Sequence, residues 1–94
     1  MSKAYQHFIN GEVVQGTSGR ASDIYNPSLG EVSGTVSLAT TGEVDAAIAA
    51  AQAAFPEWSG MNPQRRARVM FKFKALVEAH ADELALILSE EHGK

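Results

Sequence analysis

The sequence predicts short antiparallel β-strands followed by three α-helices, and three observations carry that prediction. Asn10-Gly11 separates two short β-prone runs, residues 31–38 alternate apolar with polar side chains, and from Thr40 onward apolar residues recur at helical spacing between recognisable caps. Strands are expected between about residues 7 and 38, and helices at about 41–55, 63–80 and 82–92.

His7-Phe8-Ile9, Asn10-Gly11 and Glu12-Val13-Val14 form the pattern of a tight hairpin, since Asn-Gly accepts the positive φ angles of a type I′ turn. Residues 15–22, QGTSGRAS, lack periodicity and read as an exposed connection. Asp23-Ile24-Tyr25 is a second extended segment, ended by the turn Asn26-Pro27-Ser28-Leu29-Gly30. Val32, Gly34, Val36 and Leu38 then share one strand face, with Glu31, Ser33, Thr35 and Ser37 on the other, which suits antiparallel pairing with the preceding segment.

Thr40-Thr41-Gly42-Glu43 matches a capping box, and Val44, Ala47, Ile48, Ala51 and Phe55 follow as a helical stripe. Pro56 is expected to end that helix near Phe55, leaving residues 57–61 as a linker whose Trp58 tucks under the next helix. Asn62 as N-cap and Pro63 at the first helical position start the next, whose stripe is Val69, Met70, Phe73, Leu76 and Val77. A break is expected near His80 to Asp82, with Asp82 as a second cap, Gly93 as C-cap and Lys94 favouring the negative end of the dipole.

With 94 residues, 45% of them apolar and 20% charged, the chain has a globular composition, but its abundant alanines promise only a thin core in isolation. The net charge of −3 gives no reason to expect nucleic acid or an anionic membrane as partner. There is no cysteine, hence no thiolate nucleophile or disulfide in these residues. Without a signal-like apolar run or a membrane-length segment, a cytoplasmic location is the expectation.

Candidate chemistry is sparse. Arg65, Arg68 and Lys72 share a helical face and read as solvated, or paired with carboxylates from elsewhere in the domain. His7, His80 and His92 are too scattered for metal ligation, and Glu90, Glu91 and His92 read as a solvated helix end. No glycine pattern of a phosphate loop occurs, and Asn26-Pro27-Ser28 fails as a glycosylation site because proline holds the middle. No catalytic, cofactor-binding or metal-binding residue is assigned from these patterns.

The ordered segments HFINGEVVQG, DIYNPSLGEVSGTVSLAT, EVDAAIAAAQAAFPEW and NPQRRARV through EEHGK resemble the N-terminal region of the aldehyde dehydrogenase superfamily. The stretches Asn62–Phe73, Gly16–Arg20 and Ser89–Lys94 are most similar to its CoA-acylating methylmalonate-semialdehyde dehydrogenases. The resemblance implies an α/β parent fold about five times longer, of which residues 1–94 are the N-terminal part of the NAD-binding domain. It further implies NAD and CoA as the parent's cofactors, a cysteine nucleophile outside these residues, and a homo-oligomer, dimer or tetramer.

On that resemblance the residues here are scaffold: the strands lie at the edge of the NAD-binding domain and the helices pack on its outside. Backbone carbonyls of Ile24 and Tyr25 correspond to a monovalent-cation site of some members. The other reading is a free-standing helical interaction module that uses the Val69/Phe73/Val77 stripe to bind a partner.

Overall fold

The computed structural model describes residues 3–93; the expectation for Lys94 lies outside them. Five strands, β1 (Lys3–Tyr5), β2 (His7–Ile9), β3 (Glu12–Val14), β4 (Ala21–Asn26) and β5 (Glu31–Ser37), precede three helices, α1 (Thr41–Gly60), α2 (Pro63–Ala79) and α3 (Ala81–His92).

β2 and β3 form the expected hairpin, with Asn10 at φ 54° and Gly11 at φ 77° supplying the left-handed turn. β4 and β5 pair antiparallel across the Asn26–Gly30 turn, with an irregularity of register between Ile24 and Tyr25. β1 adds to the other side of β5 in parallel, giving the order β1-β5-β4. The strand region therefore starts at Lys3, not at residue 7. Three residues, Lys-Ala-Tyr, carry no alternation that a period-2 reading can detect, and their partner lies 31 positions along the chain.

Gly34, the one fully buried residue among those described, makes this pairing possible. A Cβ there would stand 2.5 Å from the Lys3 carbonyl oxygen, so β1 approaches to a distance that only glycine permits.

Helix starts follow the sequence closely. Thr40 and Glu43 form the capping box, the Glu43 amide donating to Thr40 Oγ1 at 3.0 Å and the Thr40 amide to Glu43 Oε1 at 2.8 Å. Asn62 Oδ1 accepts from the Gln64 amide at 2.8 Å, with Pro63 at the first helical position.

Helix α1 runs through Pro56 to Gly60, so the linker expected at 57–61 is its last turn and Trp58 is a helical residue, 40% exposed. Proline removes one hydrogen bond, but the alanine-rich turns before it have high helix propensity and carry the helix past the defect. The stop comes at Met61 (φ −69°, ψ 142°) and Asn62, because the next proline, Pro63, pushes its predecessor out of the α region.

The break between α2 and α3 is present at His80, which is itself the N-cap and makes no side-chain capping bond. Asp82 is not the cap: it lies inside the first turn, where with Glu83 it complements the helix dipole. Gly93 closes α3 at φ 76°, as expected of a C-cap glycine.

Little of this is packed. No apolar residue among those described is fully buried, and Phe55, Phe71, Phe73 and Leu76 are about 60% exposed or more (65%, 68%, 59% and 60%). The radius of gyration is 16.9 Å and the extents are 47 × 35 × 16 Å. A globule of this length would have a radius of gyration of about 12 Å. Likewise the accessible surface is 7646 Å², where a compact chain of this mass would show about 5,200 Å². α3 lies against β4 and the start of α1 against β2, but the helices do not otherwise close over the strands.

Candidate functional site

The side chains that converge do so around Glu43, at the first turn of α1. Its Oε1 accepts from the Thr40 amide at 2.8 Å and its Oε2 from the Thr17 amide at 3.1 Å. His7 Nε2 approaches Oε1 at 3.5 Å, with the two side chains only 16% and 12% exposed. The Thr40 backbone N–H is the main cause holding the Glu43 carboxyl below the usual carboxylate range. Partial burial opposes it, and the Thr17 amide, His7 and the Thr40 side chain reinforce it.

A second carbonyl-type acceptor, Gln6 Oε1, takes the Gly16 amide at 2.8 Å and the Ser37 hydroxyl at 2.9 Å. Ser18 Oγ donates to the Leu38 carbonyl at 2.5 Å, and Arg20 Nη2 to the Ala39 carbonyl at 2.9 Å. Residues 15–20 of the connection, read from sequence as exposed over 15–22, are therefore tied to Gln6 ahead of the hairpin, to Leu38 and Ala39 after β5, and to Glu43 of α1. A Cβ on Gly16 would lie 2.8 Å from Ser37 Cβ and 3.3 Å from His7 Nε2, so the close approach requires glycine.

Gln6, Gly16 and Ser37 carry no sequence pattern that marks them, since all three contacts are nonlocal. Glu43 was legible, but only as a cap.

A cavity of about 400 Å³ separates the sheet from α3, lined in part by Lys3, Asn26, Ser33, Glu90 and Glu91. Ile24 also faces it, beside the register irregularity, and the Ile24 carbonyl accepts from Ser33 Oγ at 3.2 Å. No group of three metal-ligating side chains occurs among the described residues.

The other candidates stay apart. His7 is in β2, His80 at the α2–α3 break and His92 in the last turn of α3. His80 Nδ1 lies 3.1 Å from Glu83 Oε2 in an exposed contact. Arg65, Arg68 and Lys72 form no ion pair among the described residues, whereas Lys74 meets Glu78 at 3.0 Å on the surface. Arg66 Nε is shielded from solvent without a partner.

Among the described residues, no helix start or glycine-rich turn suits the phosphates of a dinucleotide or CoA. Phosphates need free amides at a helix start or a glycine-rich cradle, yet α1 and α3 begin with their own carboxylates and the α2 start is capped by Asn62.

The chain thus consists of a hairpin, a three-stranded sheet and three helices. The chain belongs to the aldehyde dehydrogenase family, whose model matches residues 13–94.

Individual relatives are similar over nearly the whole of this chain. The malonate-semialdehyde dehydrogenase of Pseudomonas aeruginosa is 46% identical over 88 residues, 94% of this chain and 18% of the relative. Among solved structures, one from Sinorhizobium meliloti 1021, assigned provisionally as a methylmalonate-semialdehyde dehydrogenase and complexed with NAD, is 52% identical. It superimposes with a TM-score of 0.91 over 98% of this chain and 19% of that one. The methylmalonate-semialdehyde dehydrogenase of Oceanimonas doudoroffii is 46% identical, with a TM-score of 0.88 over 98% of this chain and 18% of that one. The chain thus spans 18–19% of the length of these relatives.

Proposed function

We propose that residues 1–94 are the N-terminal part of the NAD-binding domain of an NAD-dependent, CoA-acylating malonate- or methylmalonate-semialdehyde dehydrogenase, serving as scaffold and inert alone. The observation that carries this reading is the pairing of close likeness with partial coverage. The chain matches about a fifth of its relatives at 46–52% identity, and its helices expose apolar faces that a larger body would cover.

On this reading the attacking thiolate, the NAD site and the CoA site lie in the remainder of a cytoplasmic, homo-oligomeric enzyme. When bound there, NAD accepts the hydride and CoA the acyl group. This segment positions strands and helices at the domain's edge. Its residues touch no reacting atom.

The test is NADH production from malonate or methylmalonate semialdehyde with CoA, using the 94 residues and then the longer gene product. Turnover by the longer product alone supports the reading. Turnover by the 94 residues contradicts the scaffold role, and none by the longer product contradicts the substrate class.

A second reading, the free-standing interaction module, draws on one observation: Val69, Phe73 and Val77 are 46%, 59% and 39% exposed on a single face. It requires a soluble, cooperatively melting 94-residue chain, measured by light scattering and calorimetry.

A further inference from the structure

We propose that the contact between His7 and Glu43 is a pH-responsive clasp: protonating His7 turns it into an ion pair that fixes the β2–β3 hairpin and the 15–20 connection onto the first turn of α1. The proposal concerns the coupling of these elements and is independent of the enzymatic reading above.

The geometry is built for one charge state. His7 Nε2 is shielded from solvent and makes no hydrogen bond, although Glu43 Oε1 stands 3.5 Å away. In a neutral imidazole this nitrogen either turns a lone pair toward a carboxylate, which repels it, or carries a hydrogen with a poor reach to its acceptor. In the imidazolium it is a donor and a cation facing an anion, in a place where little water screens the pair. The carboxylate is fixed in position by two backbone amides, Thr40 on Oε1 and Thr17 on Oε2. Ion pairing at His7 therefore acts on the connection through Thr17 and on the helix start through Thr40.

The surroundings leave this charge state to decide the contact. On the hairpin, Glu12 is the other charged side chain, exposed at the turn end of β3. On the connection, Arg20 directs its guanidinium to the Ala39 carbonyl. On α1, Asp45 is exposed. Ser37, after the centre of β5, is neutral and donates to Gln6 Oε1. Phe8, Ala39, Val44 and Ala47 line the apolar hollow beside the pair. Among the described residues, His7 is the basic side chain within ion-pair distance of Glu43.

The test is hydrogen–deuterium exchange, read by mass spectrometry on the full-length gene product at about pH 5.5 and about pH 8. Rates are corrected for intrinsic exchange, and peptides spanning residues 15–20 and 39–44 are followed. Protection of the 15–20 peptide is expected to rise about threefold or more at the lower pH, the scale of a partly screened ion pair. The rise disappears in His7→Asn and in Glu43→Gln, while His80→Gln, at the distant helix break, retains it. An unchanged rise in His7→Asn, its loss in His80→Gln, or no rise in the wild type overturns the clasp. If His7→Asn does not fold, the comparison of wild type with Glu43→Gln decides by the same criteria. Because the readout is exchange and not NADH, failure here is distinct from failure of the enzymatic assignment.

Discussion

Residues 3–43 direct their polar groups onto one another, through the Glu43 and Gln6 junctions, the β1-β5-β4 sheet and the hairpin. Residues 44–92 form most of three helices that leave Ile48, Phe55, Phe71 and Phe73 half-exposed or more. The strand region is specified by hydrogen bonds between residues distant in sequence and by glycines that allow close approach, so it can hold its geometry without a large core. Helix formation in the second region is equally well specified by caps and propensity, but its packing is not. A helical stripe defines a direction of burial without supplying the surface that covers it.

The largest effect expected from that contrast comes from Phe73→Ala. In the full-length product, where the proposed reading has a larger body covering α2, it should cost about 3–5 kcal/mol in urea unfolding. In the 94-residue chain, where Phe73 is 59% exposed, the helix content should barely change, within about 0.5 kcal/mol. Equal effects in the two contexts would erase the distinction between the regions.

Gly34→Ala probes the strand side. Its Cβ would collide with the Lys3 carbonyl, so β1 should detach or shift at about 1–3 kcal/mol, seen as faster amide exchange across residues 3–5 and 33–36. Thr40→Ala removes the cap of α1 and should cost about 1 kcal/mol, localised to its first turn in exchange experiments.

The smallest effect is acid sensitivity. Glu43 is held below its ordinary value of 4.5, so its contribution is present above that value and is lost as pH falls through the lower folded value. Protection of the Thr17 and Thr40 amides should fall over that acidic range, and Glu43→Gln should abolish the pH dependence.

Much of the local structure is legible from sequence because its causes are local. Asn10-Gly11, the Thr40/Glu43 box, Asn62-Pro63 and Gly93 each act within four residues, and each takes the role that its chemistry predicts. Errors arose where a local rule met competition. Pro56 lost to the helix propensity around it, and Asp82 stood two residues past the true break.

What was not legible is nonlocal. β1 pairs with residues 34–36 through a three-residue strand, and the 15–20 connection is ordered by partners at positions 6, 38, 39 and 43. No periodicity encodes those contacts. The alternation of β5 did identify its antiparallel pairing with β4, but not the glycine-dependent parallel neighbour on its other edge.

The central claim, that these 94 residues are a well-capped but incompletely covered part of a dehydrogenase, is tested most directly by calorimetric melting of the chain alone beside the full-length product. The account predicts no cooperative transition for the 94 residues and binding of apolar dye, against a sharp cooperative melt for the whole enzyme. A cooperative, dye-free melt of the monomeric 94-residue chain would contradict it.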